Sequence, residues 1–388
     1  MSPIYLDNHA TTQVDPRVLS KMLPFFCEAF GNSSSQDHIY GDQASAAVEE
    51  ARFEAAKLVN VDHRRLYFTS GATEAINIGI KGLALDRKNA RGKIRIAVAP
   101  IEHHAVLETC KELYSLGTAD IESIQIDSQG RIDLDQVQAL CESNIDLLCI
   151  MAANNEVGNL YPVSEICNIA TKNGVPVFCD ASQAVGKIPF DFSALGISMA
   201  VFSGHKMYGP KGVGALFVSS DIKLYPVLHG GGQERGMRPG SLNVPCIVGL
   251  GEACRLQGFE MESDDRRIRA LRDSLQRFFQ NEIDDVVING DENYRLAGNL
   301  NVSFIGVPNS AVISRVRNAL AISTGSACSA GVDAPSHVLS AMRLEADVIE
   351  GALRFGIGKF NTGEELTNAA RIVSDAVKEI RRIVRSGF

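Results

Sequence analysis

The chain has 388 residues, 45% of them hydrophobic, with 46 acidic against 38 basic side chains and a net charge of −8. That length predicts about two domains with sizeable cores, and the ordinary apolar fraction excludes a low-complexity disordered chain. The acidic balance excludes a general nucleic-acid or anionic-membrane binder, and no apolar run approaches the roughly 18 residues of a membrane-spanning helix.

Ala44, Ala47, Val48, Ala51, Ala55 and Leu58 recur at helical spacing and predict an amphipathic helix over 42–59. Strand-like runs follow at 66–69, 94–99, 121–126, 147–152, 175–179, 199–203 and 214–218. A helix opens at Asp133 and carries Leu134, Val137, Leu140 and Cys141 on one face. Short β-branched strands alternating with helices predict an α/β fold: a mainly parallel sheet flanked by helices, with ligands beyond the carboxyl ends of the strands. From about Glu252 the character changes. A charged helix over 260–279 leads to an apolar run at 299–305, a helix over 310–320 and a last helix. That last helix starts with a capping box, Thr362 and Glu365, and carries an apolar stripe through Leu366, Ala369, Val373, Val377 and Ile380. The expected division is a large domain over 14–255 and a smaller α+β domain over 256–388, which residues 1–13 join.

The nine cysteines form no C-x-x-C pair, and the N-terminus lacks the pattern of a secretory signal. They read as reduced thiols of a cytoplasmic protein, with no metal site. Eight lie in apolar contexts, or near a proline, that suit core packing. Cys328 lies among small residues, Ile322-Ser-Thr-Gly-Ser-Ala-Cys328-Ser-Ala-Gly331, and reads as an accessible nucleophile on a mobile loop.

Nucleotide motifs of the G-x-G-x-x-G and P-loop types are absent, and His229-Gly-Gly-Gly232 has no G-x-S-x-G partner that would make a serine hydrolase. What remains is a set of polar groups at strand ends. Tyr67-Phe-Thr-Ser-Gly-Ala-Thr73 runs from a strand into a helix start that either is an ordinary N-cap or holds a phosphate. Asp180 follows a buried strand, and either caps the next helix or pairs with a cationic ring nitrogen. Lys206 follows another apolar strand, in Ser203-Gly-His-Lys206, where a desolvated lysine can form a Schiff base. A phosphate cradle, an acid and an amine at three strand ends fit pyridoxal phosphate. His103 and His104 point in different directions, one of them free to lie over the cofactor ring.

Tyr5-Leu-Asp-Asn-His-Ala-Thr-Thr12, Ser70-Gly-Ala-Thr-Glu74, Glu102-His103, Asn154-Asn-Glu156, Asp180-Ala-Ser-Gln183, Ser203-Gly-His-Lys206, the Gly-rich 229–241 segment and Ser326-Ala-Cys328 occur in family order across nearly the whole chain. Together they resemble a cysteine desulfurase of the NifS/IscS-like group, within the class V aminotransferases. The resemblance implies a fold-type-I, pyridoxal-phosphate-dependent homodimer that converts L-cysteine to L-alanine and an enzyme persulfide. It implies Lys206 as the cofactor lysine and proton carrier, His103 stacked on the ring, Asp180 at the ring nitrogen, and Gln183 and Asn155 near the ring hydroxyl or substrate. Ala72, Thr73, Ser203 and His205 would bind the phosphate, joined by Ser241 of the partner subunit. Arg354 and Asn32 would take the substrate carboxylate, and Cys328 the sulfur, for delivery to an acceptor such as an iron–sulfur scaffold. The chain departs from the family pattern at Ser33 to His38, where Pro and Arg are usual, and at Pro239 and Ser241. A selenocysteine lyase or an aminotransferase of the same class is the nearest alternative, and the thiol at Cys328 sets the aminotransferase apart. A non-catalytic binding subunit would not need Lys206, Asp180 and Thr73 together.

Overall fold

A computed structural model describes residues 3–325 and 335–386. β1 (Ile4–Tyr5) leads to α1 (Pro16–Met22), α2 (Pro24–Cys27) and the long α3 (Ile39–Leu58). Asp15 caps α1 by accepting from the Arg17 N–H, and Pro16 occupies the first turn, where no backbone donor is needed. α3 starts three residues earlier than its apolar spacing predicts, because the His38 ring accepts from the Gly41 N–H and caps the helix there.

Strands and helices then alternate as β2 (Leu66–Thr69), α4 (Ala72–Arg91), β3 (Ile94–Val98), α5 (His104–Ser115), β4 (Ala119–Ser123), α6 (Leu134–Glu142) and β5 (Leu147–Met151). They continue as α7 (Val163–Lys172), β6 (Val177–Asp180), β7 (Met199–Ser203) and β8 (Gly214–Val218). The strands form one sheet in the order β2-β8-β7-β6-β5-β3-β4. It is parallel except at β8, which runs antiparallel to both β2 and β7. β5, β6, β7 and β8 are buried at every position, as expected of strands covered on both faces. β4 ends at Ser123 rather than at residue 126, since Ile126 leaves the sheet to pair with Ile132 across a turn.

The 260–279 helix expected from the sequence is the second half of α8 (Val244–Glu282), a single helix of 39 residues capped by Asn243. Its charged surface changes near Glu252, but its apolar stripe continues and passes from one core to another. β9 (Val286–Ile288), β10 (Asn299–Phe304), α9 (Asn309–Val316), β11 (Leu320–Ala321), α10 (His337–Ala341), α11 (Ala346–Glu350), β12 (Ala352–Gly356) and α12 (Gly363–Ser386) complete the chain. β12, β10 and β9 make an antiparallel sheet, and β11 pairs in parallel with β1. That pairing is why α9 stops at Val316: the chain must turn to bring Leu320 beside Ile4. The capping box of α12 is complete. Thr362 Oγ1 accepts from the Glu365 N–H at 3.2 Å, and Glu365 Oε2 accepts from the Thr362 N–H at 2.9 Å.

One apolar cluster packs α3, α7 and the first half of α8 against one face of the large sheet. A second fills the other face with Ile76, Ile80 and Leu83 of α4 and Val106 and Leu113 of α5. A third joins Ile268, Leu275 and Phe279 of α8 to β10, β12, α9 and α12, and takes in Leu6 from the N-terminal segment. Val338, Leu339 and Ala352, late in the sequence, pack in the first cluster. Cys110, Cys141, Cys149, Cys167, Cys179 and Cys254 are buried, as their contexts predict. Cys27 is exposed and Cys246 half-buried, against the expectation of core packing: Cys27 ends the four-residue α2, which has no buried face. Among the described residues no helix is long and apolar enough to cross a membrane.

Candidate active site

Parallel strands end on one edge of the large sheet, and there a cleft of about 520 Å³ opens, lined by residues just beyond β2, β5, β6 and β7. It contains Ala72, Thr73, His103, Asn155, Asp180, Gln183, Ser203, His205, Lys206 and Arg354, so ten of the residues singled out in the sequence converge.

Beyond β2, Gly71 is the N-cap of α4 and offers no side-chain hydrogen bond. Thr73 sits in the first turn of α4 and lines the cleft. A helix N-terminus with open backbone donors and a positive dipole end is suited to a dianion. Gly214 lets this turn approach closely, because a Cβ there would meet the Gly71 backbone at 2.8 Å. Glu74 braces the turn, accepting from the Ser70 N–H and from Arg238 Nε.

Asp180 is the last residue of β6 and is 6% exposed. No α-helix follows it directly, so it is not a helix cap. Its Oδ1 accepts from the Ser182 N–H at 2.9 Å. Glu102 has no exposed surface, and its carboxyl is held well above its ordinary range by burial and by the charge of Asp180. His103 caps α5 by accepting from the Ala105 N–H at its Nδ1, 3.1 Å away, which leaves the ring proton of the neutral imidazole on Nε2. Burial lowers the His103 pKa, and the neighbouring Lys206 adds to the effect. His104 turns away instead and packs on His337, with ring centroids 4.4 Å apart.

Lys206 closes a short 3-10 turn after β7, and its Nζ donates to the carbonyls of His9 at 2.6 Å and Ala10 at 2.8 Å. His205 bonds Thr11 Oγ1 through Nδ1 at 3.2 Å, and burial with Lys206, Lys211 and Lys187 nearby pushes its pKa down to about 4. Ser203 is buried, with its hydroxyl donating to the Val213 carbonyl at 3.3 Å. Gln183 Nε2 donates to the His9 carbonyl at 3.0 Å, and its Oε1 lies 3.1 Å from His9 Nδ1. From β12, Arg354 reaches the cleft with Nη1 on the Asn155 carbonyl at 2.9 Å and Nη2 on Asp7 Oδ1 at 2.7 Å.

Asn32 and Ser241 are not in the cleft. Both lie exposed on the surface, in the 28–38 and 229–241 segments, and Asn32 Oδ1 accepts from the Ser34 N–H at 2.9 Å. Cys328 lies outside the described residues. The sequence alone gives Asp7, His9, Ala10 and Thr11 no individual role, although they belong to a motif that carries the family resemblance. Their position depends on the pairing of β1 with β11, which no local pattern reveals.

The donor set fits pyridoxal phosphate. An open helix N-terminus with Thr73 suits the phosphate, a buried carboxylate suits a protonated ring nitrogen, and an amine in the same cleft suits the aldehyde. Among the described residues no cluster of three or more His, Cys, Asp or Glu could hold a metal ion.

The chain belongs to the aminotransferase class-V family, whose model matches residues 4–368. Within it, the chain is 43% identical over 383 residues to the cysteine desulfurase IscS of Anaeromyxobacter dehalogenans, covering 98% of this chain and 94% of that one. Among solved structures it resembles a NifS-like protein with a TM-score of 0.90 at 36% identity, covering 97% of this chain and 99% of the other. It also resembles SspA in complex with cysteine, with a TM-score of 0.80 at 33% identity, covering 92% and 99%.

Proposed function

We propose that this chain is a pyridoxal-phosphate-dependent cysteine desulfurase that converts L-cysteine to L-alanine and passes the sulfur to its own Cys328. The observation that carries the reading is the convergence of Lys206, Asp180, the uncapped start of α4 and Arg354 in one cleft. Relatives named cysteine desulfurase, and a neighbour solved with cysteine, support the choice of substrate.

When bound, the cofactor supplies an electron sink for the substrate carbon that bears the amine. Thr73, Ala72, Ser203 and His205 hold the phosphate. Asp180 would keep a proton on the ring nitrogen. Lys206 would hold the cofactor through Nζ and would move the proton at the substrate carbon. His103, with its Nε2 proton, would lie against the ring, and Gln183 and Asn155, which line the same cleft, would border the ring hydroxyl and the substrate. Arg354 binds the substrate carboxylate. The Cys328 thiolate attacks the substrate sulfur: the carbon–sulfur bond breaks, a sulfur–sulfur bond forms, and the carbon takes a proton to become the alanine methyl. Atoms and electrons balance with no outside oxidant.

The working form is a homodimer. Leu23, Phe26, Phe30, Ile39 and Tyr40 are all exposed on one stretch of the chain, a patch that a second copy would cover. Asn32 and Ser241, exposed in the single chain, would then complete the two sites, with Ser241 of the partner subunit at the phosphate. The persulfide goes to an acceptor such as an iron–sulfur scaffold, in a reducing cytoplasm that keeps the thiol free.

The protein incubated with pyridoxal phosphate and freed of excess should show a visible absorbance band and release alanine from L-cysteine. Lys206→Ala should lose both. An unchanged visible band in that variant would mean that another lysine holds the cofactor.

A further inference from the structure

Arg354 is 3% exposed, and its guanidinium is largely committed to the protein before any substrate arrives. Nη1 donates to the Asn155 carbonyl and Nη2 to Asp7 Oδ1, a pair in which the arginine side chain is 3% and the aspartate side chain 18% exposed. Nε is buried and has no partner. The same Asp7 oxygen accepts from Ser323 Oγ at 3.2 Å, and the Asp7 backbone pairs with Gly356, two residues beyond Arg354. Ser323 in turn exchanges backbone hydrogen bonds with Arg354, giving at 3.3 Å and accepting at 2.7 Å. Asp7 is thus fixed from both sides, and it fixes the plane of the guanidinium.

We propose that Asp7 is a positioning residue that sets substrate selection through Arg354. By holding Nη2 while the Asn155 carbonyl holds Nη1, it fixes the plane of the guanidinium and leaves Nε as the donor without a partner. A guanidinium held in one plane meets a carboxylate in one orientation. The site therefore selects α-amino monocarboxylates by a fixed fork rather than by a free positive charge. This inference rests on the proposed role of Arg354 in carboxylate binding.

Holoenzyme titrated with L-alanine and with ethylamine, which lacks the carboxylate, tests it through the change in cofactor absorbance. Wild type should prefer alanine strongly. In Asp7→Ala the guanidinium loses its brace, so the preference should fall about tenfold or more while ethylamine binding hardly moves. The ethylamine constant also checks that the cofactor site is intact. If Asp7→Ala does not fold, Asp7→Glu carries the test: it keeps the charge but moves the carboxylate by one methylene, and the preference should again fall. A preference that is unchanged or larger in the variant overturns the role of Asp7. A wild type with no preference overturns the role of Arg354 itself, and this inference with it.

Discussion

Glu102 illustrates how much of the site is set by residues that never touch the substrate. It has no exposed surface, its Oε1 accepts from the Met151 N–H, and its Oε2 has no partner. Burial and the charge of Asp180 raise its pKa well above the ordinary 4.5. In the pH range between 4.5 and that raised value the unfolded chain releases this proton and the folded chain keeps it. The contribution of Glu102 to stability is therefore present at low pH and is lost as pH rises. Glu102→Gln, close in shape to the neutral acid, escapes this loss. Urea unfolding at pH 5 and pH 8 should show the variant gaining on wild type at the higher pH, and parallel behaviour at both would mean that Glu102 is ionised in the folded protein. Residues of this kind are the least legible in a sequence. Lys206, Asp180 and Thr73 stand out because strand-end positions and small neighbours mark them. Asp7, Glu102 and His9 act through tertiary neighbours that no local pattern names.

At the scale of elements, the strands were readable because a strand buried on both faces is a continuous apolar run, as in β5 and β7. Helix ends were less so. α8 keeps one apolar stripe while its charged face changes, and α9 ends where the β1–β11 pairing requires a turn, not where its hydrophobic pattern fades. The Gly-rich 229–241 segment is held by a buried ion pair that the sequence does not reveal. Arg52 of α3 donates to both oxygens of Glu234, at 2.8 and 2.7 Å, with side chains 3% and 1% exposed. Glu234 also accepts from the Phe68 N–H of β2 at 2.7 Å. Glu234 and Arg235 have φ values of 47° and 55°, a left-handed conformation costly for such residues and sustained by these contacts. Arg52→Ala leaves Glu234 buried and unpaired, and chemical denaturation should show a loss of about 3–5 kcal/mol. A loss below about 1 kcal/mol would place this pair with surface ion pairs in its effect.

On the scale of the whole molecule, one short stretch ties two cores to the site between them. Leu6 packs in the core of β10, β12 and α12. Asp7 holds Arg354, the carbonyls of His9 and Ala10 accept from Lys206, and Thr12 Oγ1 donates to the His205 carbonyl at 3.0 Å. The proposed carboxylate and cofactor ligands are thus positioned by residues 7–12, whichever core each belongs to. Gly251 of α8 shows how closely the helices over the sheet pack, since a Cβ there would meet the Ala51 Cα of α3 at 2.5 Å. A rigid cleft of this kind suits chemistry that depends on orientation. On the proposed function, the sulfur of cysteine leaves this cleft on Cys328. Cofactor-loaded protein should be mixed with one equivalent of L-cysteine without reductant, quenched, and its Cys328 peptide weighed by mass spectrometry beside an assay of alanine. One added sulfur atom on Cys328 is expected for each alanine formed, and neither product in Cys328→Ala, which keeps the cofactor absorbance. Alanine formed with no sulfur on Cys328, or full turnover in Cys328→Ala, would contradict it.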